Sequence, residues 1–169
     1  MCRSTARWPV EWATWARTWR DPDSGKGGAG VAACWHGGAT AIGAALHRKL
    51  LASTPTRRSA FQLAALGRID LHLESTGALL REAAQWIDRY PTADASAIAL
   101  RVRLAAEAAA RHVLDEAGRA LGATPFCRDA QFARMAADLP VFVRQSHAER
   151  DFVALAERLL DPAHSRWKL

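Results

Sequence analysis

GATPFCRDAQFARMAADL, residues 122–139, joins the end of one Ala-rich run to the start of another. Gly122 is a natural helix stop, and after the link ATPF a new helix begins near Cys127. Arg128, Asp129, Arg134 and Asp138 then fall within a single helical stretch. Asp129 near the helix start complements the dipole. Arg134 and Asp138 are an i, i+4 pair, worth a few tenths of a kcal/mol on an exposed face.

Working outward, the same Ala/Leu/Arg character runs through most of the 169 residues. These residue types favour helices, and the half of the chain that is hydrophobic is enough for one packed domain. A first helix is expected over 31–51, with Gly37, Gly38 and Gly43 inside it where another backbone or a ligand comes close. Pro55 breaks the pattern, and Ser53 or Thr54 is a candidate cap for the next helix. That second helix, over 59–90, carries Leu66, Ile69, Leu73, Leu80, Ala84 and Ile87 on one face. A third over 95–121, capped by Thr92 or Asp94, carries Ile98, Val102, Ala105, Ala109, Val113 and Ala117. The fourth continues to about Leu160, kinked or interrupted at Pro140. Short connections make sequential neighbours antiparallel. The expected fold is all-α, a long antiparallel four-helix up-down bundle over 31–160, with a tail at 161–169.

Residues 1–30 differ. Trp8, Trp12, Trp15 and Trp19, spaced 4, 3 and 4, would form one stripe on a helix, ahead of the loop-forming run RDPDSGKGGAG. This stretch reads as a Trp-rich segment plus linker, and whether the stripe packs on the bundle, stays bare or belongs to altered sequence is left open.

The net charge is +6, but only three Lys contribute and the Arg are interspersed with acids along every helix. No block of like charge marks a nucleic-acid surface. No apolar stretch is long enough for a membrane span, and no signal peptide is legible. Three Cys without a pairing pattern suit a reducing, cytoplasmic setting, with Cys34 and Cys127 expected as core thiols. Cys34 and His36 lack a second ligand pair at metal spacing, so no metal is expected. No Ser/His/Asp set, phosphate-binding loop or dinucleotide fingerprint is present. His72 and His112 read as boundary residues, and His147 as a surface partner for Asp151 at i, i+4.

Four segments, in order, resemble the C-terminal helical bundle of acyl-CoA dehydrogenase-like flavoproteins: GAGVAACWHGGATAIGAAL, LAALGRIDLHLESTGALLREAAQWID, RLAAEAAARHVLDEAGRALGATPF and CRDAQFARMAADLPVFVRQSHAERDFVAL. The resemblance covers about residues 28–160. It implies an FAD oxidoreductase fold in which an N-terminal helical domain, a middle β-domain and this bundle enclose FAD and an acyl-CoA. A base there removes an α proton while a hydride leaves the β carbon for the flavin. It also implies a homo-oligomer built through the bundle, or a partner chain that supplies the missing domains. Arg128 and Arg134, with Asp129 and Asp138, would tie the last helix to its neighbours near the flavin. Arg57 and Arg58, with Phe61, resemble the family's Arg-x-x-Phe grip on the FAD pyrophosphate, at a shorter spacing to the second helix.

Two departures accompany the resemblance. The chain lacks both other domains, so little or no activity is expected of it alone. The family's Glu-Gly-Thr base position falls at Ala137, beside Asp138, with no Gly-Thr. Related flavin-dependent monooxygenases have a His in this last helix, where His147 stands as the catalytic candidate. A non-enzymatic helical oligomerisation module is the alternative, favoured by the Trp stripe.

Overall fold

The computed structural model describes residues 22–147 and 149–160. The Trp stripe of residues 8–19, Cys2 and the tail from 161 lie outside them. Among the described residues every regular element is helical: α1 (Pro22–Ala52), a 3-10 turn (Pro55–Arg57), α2 (Ala60–Arg89), α3 (Ser96–Leu121), α4 (Thr124–Arg128), α5 (Ala130–Val143) and α6 (Glu149–Leu159). None of these helices is long and apolar enough to cross a membrane.

Helix α1 begins inside the stretch expected as a linker. Pro22 suits the first turn, where its missing N–H is not needed, and Ala29, Val31 and Ala32 already join the core. Ser59, rather than Ser53 or Thr54, caps α2 by accepting from the Phe61 amide at 3.2 Å. Asp94 accepts from the Ser96 amide at 2.8 Å at the start of α3. Gly122 ends α3 at φ 68°, a left-handed conformation that glycine adopts without Cβ strain.

The most extensive packing joins α1 to α3. The two run in the same direction, because Trp35 meets Arg103 and Gly43 faces Val113. Small residues make the approach possible: Ala39 and Gly43 on one side, Ala106, Ala110 and Ala117 on the other. Helix α2 packs on both members of this pair, α5 leans mainly on α1, and α6 rests on α3. Around α3 this arrangement buries more than the single stripe read from the sequence, with Leu100, Leu104 and Ala106 also inside. On α2 the core positions are Ala65, Ile69, Thr76, Gly77 and Ala83. The expected Ala84 is exposed, since the face turned to two neighbours is rotated toward Ala83.

The expected single fourth helix is three pieces. Arg128 ends α4, and Asp129 caps α5 by accepting from the Phe132 amide at 3.0 Å. Pro140 lies within α5, and the helix ends three residues later, at Val143. Residues 144–146 then turn, with Ser146 N donating to Val143 O at 2.9 Å. Cys34 and Cys127 are free and exposed rather than core thiols, because each falls on the outward side of its helix.

The helical glycines are unequal. A Cβ at Gly43 would lie 2.9 Å from Ile69 Cγ2, whereas one at Gly37 meets nothing within 4 Å. Gly37→Ala is expected to raise stability by up to about 1 kcal/mol through helix propensity. Gly43→Ala is expected to lose that gain to overpacking and end less stable than the parent. Paired thermal melts check this; equal shifts for the two variants would refute the close approach at Gly43.

Candidate functional site

The unusual chemistry of this molecule lies under the last helix. Arg103, Glu107 and Asp151 are all buried, with Asp151 only 3% exposed. Arg103 and Glu107 sit one turn apart on α3, and Asp151 comes from the first turn of α6. Arg103 Nε lies 3.6 Å from Asp151 Oδ2, and Arg103 Nη2 donates to Gln145 O at 3.1 Å. The same guanidinium stands 5.1 Å over the ring of the fully buried Trp35, a cation–π geometry. Ser146 Oγ donates to Glu107 Oε2, and Arg111 pairs with Glu107 Oε1 at 2.6 Å. Thus the break between α5 and α6 is fixed by α3: its two buried charges take up a carbonyl and a hydroxyl of the turn. Burial pulls Arg103 below its ordinary pKa, with Asp151 and Glu107 opposing.

His147 enters this seam from the turn. Its Nδ1 is 3.8 Å from Asp151 Oδ1, beyond hydrogen-bond range. The expected pairing is therefore present as a loose contact, against a buried carboxylate rather than a surface one. Ser146 and His147 on the turn stand close in sequence to Asp151 on α6, yet the Ser146 hydroxyl is directed to Glu107. A serine nucleophile needs its proton aimed at a base that can take it away, and a paired carboxylate held by Arg111 serves here as a hydrogen-bond acceptor. The arrangement fixes the turn in place.

A second histidine site is a stack. His72 on α2 and His112 on α3 lie 4.4 Å apart at 10°. Burial lowers the pKa of His72, and His112 lowers it further, against the pull of Glu116. At His147 burial also lowers the pKa; Asp151 opposes, while Arg103 and Arg150 add to the lowering. Both rings hold fewer protons in the folded chain than in the unfolded one. Their stabilisation is complete above the ordinary value of 6.5 and is lost as pH falls below it. Melting temperatures should fall from about pH 7.5 to about pH 5.5, and His147→Gln and His72→Gln should each flatten that decline. A melting temperature that rises on acidification would refute the sign.

The arginines expected at a cofactor are elsewhere. Arg57 and Arg58 occupy the turn between α1 and α2. Arg58 Nε donates to Leu50 O at 2.9 Å and so closes the C-terminus of α1. Phe61 is exposed. Arg128 is exposed at the end of α4, and Arg134 is 84% exposed, 3.7 Å from Asp138. The α1–α2 turn and the end of α3 share one end of the molecule, since Gln62 Nε2 donates to Ala120 O at 3.0 Å. Arg57 and Arg58 on that turn, and Arg128 on the short α4 that follows α3, therefore lie toward that end, whereas Arg134 stands farther along α5, whose Leu139 packs at Gly38. His147 does not join them: its neighbour Glu107 precedes Leu121 by about 20 Å of helix at 1.5 Å per residue. The Arg/Asp set between residues 128 and 138 is thus satisfied locally, as one helix cap and one solvent-exposed pair.

An open groove of ≈ 460 Å³ runs beside the seam, lined by Leu104, Glu107, Ala108, Arg111, His112, Asp115 and Phe152. A second, of ≈ 240 Å³, lies between α2, α3 and Leu159. None of the four arginines lines either of these two grooves. Among the described residues no group of three or more His, Cys, Asp or Glu side chains is placed to hold a metal.

No family model, curated protein or solved structure matches this chain.

The buried ion cluster is what sequence reading missed. Arg103 and Glu107, four apart, have the spacing of an exposed pair. The available signal was the run LAAEAAA, residues 104–110, in which Glu107 is the single polar residue among seven.

Proposed function

We propose that this chain is the C-terminal bundle portion of an acyl-CoA dehydrogenase-like flavoprotein, a cytoplasmic oxidoreductase component. It would supply one wall of an FAD and acyl-CoA site and would not turn over alone. The observation that carries this reading is the agreement of the second and third resembling segments with α2 and α3, although the fourth segment is broken between α5 and α6. Helix α2, Ala60–Arg89, brackets the segment 63–88, α3 closes at the Gly-containing turn, and Asp129 of the Arg-Asp pair begins α5. Arg57, Arg58 and Arg128 toward one end suit contact with a pyrophosphate, and the exposed thiols Cys34 and Cys127 suit a reducing compartment.

The test is a visible absorption spectrum of the purified protein, before and after incubation with FAD and desalting. A retained flavin band, lost in Arg58→Ala, supports the reading. Helical protein that retains no flavin, alone or mixed with separately supplied N-terminal and middle domains of a family member, would sink it.

A second reading, a non-enzymatic assembly module, is favoured by one feature: α6 and the residue after it expose Phe152, Val153 and Leu160.

A further inference from the structure

The positive charge of this chain is concentrated in one stretch rather than spread along every helix. Residues 24–69 hold six Lys and Arg and no Asp or Glu. The other 17 Lys and Arg are matched by the 17 acids, so this stretch accounts for the whole net charge of +6. Four of the six, Arg48, Lys49, Arg57 and Arg58, stand with His47 at one end of the molecule, on the last turns of α1 and the turn into α2. His47, Arg48, Lys49 and Arg57 are exposed. The acids that reach this end from other helices are already engaged. Glu116 takes Arg68 at 2.9 Å, Asp115 takes Arg119, and Asp129 accepts from the Phe132 amide at 3.0 Å.

The same end carries bare apolar side chains. Phe61, in the first turn of α2, is 85% exposed, the most of any large hydrophobic among the described residues. Leu51 is 64% exposed, and Leu63 is exposed as well. On α1, Leu51 follows His47 by four residues and Arg48 by three, so all three share one face.

We propose that the end of the molecule built from residues 47–63 docks on an anionic lipid surface. Its cations meet the anionic headgroups, while Phe61 and Leu51 enter the apolar boundary beneath them. The docking is peripheral, since no described helix is long and apolar enough to cross a membrane. Lipid is favoured over nucleic acid because Leu51 and Leu63 offer apolar surface without a face on which a base stacks. Arg48 and Lys49 are not among the arginines assigned to a flavin, so lipid docking and flavin retention succeed or fail separately.

Cosedimentation of the full chain with vesicles tests it, comparing phosphatidylcholine alone with phosphatidylcholine mixed with phosphatidylserine. Binding is expected only with phosphatidylserine present, and it should weaken as added salt screens the contact. Arg48→Gln with Lys49→Gln should weaken binding by about tenfold or more, and Phe61→Ser by about tenfold through lost apolar burial. Arg81→Gln with Arg89→Gln removes the same charge from the far end of α2 and should bind as the parent does. Circular dichroism confirms that each variant is folded. A parent that leaves phosphatidylserine vesicles unbound overturns the proposal. So does an equal loss in the two double variants, which would make net charge the cause. A chain that shifts a single-stranded oligonucleotide while ignoring the vesicles overturns it in favour of nucleic acid.

Discussion

Asp151→Ala is expected to destabilise the protein by about 3–5 kcal/mol, the cost of stranding a buried cation. Arg103 is walled in by Trp35, α3 and the 144–147 turn. With Asp151 gone, the other carboxylate acting on it among the described residues is Glu107, already engaged by Ser146 and Arg111. The double variant Arg103→Met with Asp151→Leu removes both charges and keeps comparable volume, so it is expected near the parent's stability. Urea unfolding followed by circular dichroism measures both. If the single and double variants lose equal stability, the ion pair is not what makes Asp151 important.

Trp35→Ala should cost a similar amount, about 3–5 kcal/mol, through the cavity it leaves. The ring is fully buried, lies beneath Arg103, and meets Phe142 edge-on at a centroid distance of 6.2 Å. Its Nε1 is buried with no hydrogen-bond partner among the described residues. Trp35→Phe therefore gives up no hydrogen bond and retains an aromatic face for the guanidinium, and a clearly smaller loss is expected. Equal losses for Ala and Phe would mean that the indole's size, rather than an aromatic face, is what the site requires.

The long helices were legible because apolar residues recur at helical spacing over many turns, as at Ile69 on α2 and Val102, Ala109 and Val113 on α3. Their ends were legible where a residue has one strong conformational preference, as at Gly122. The last helix was misread because Pro140 is the stronger local breaker, yet the chain breaks at 144–147, where tertiary contacts to Arg103 and Glu107 capture the backbone and a hydroxyl. No local rule carries that information. The same limit applies to the seam: a charge reads as exposed until the neighbour that buries it is known. Cys34 and Cys127 were misplaced for the converse reason, since apolar sequence neighbours on a helix point in other directions. The proposed cofactor contacts Arg57 and Arg58 fell on a turn as expected, although Arg58 proved to be engaged in closing α1.

The parallel pairing of α1 with α3 has a kinetic consequence. The contact that organises the core joins residues such as Trp35 and Arg103, about 70 positions apart along the chain. Neither helix finds the other until α2 has run the length of the molecule and returned. Loop closure across that distance comes before the apolar contacts that reward it. Changes within the α1–α3 contact should therefore slow refolding, whereas changes confined to α6, which joins afterwards onto α3, should chiefly hasten unfolding.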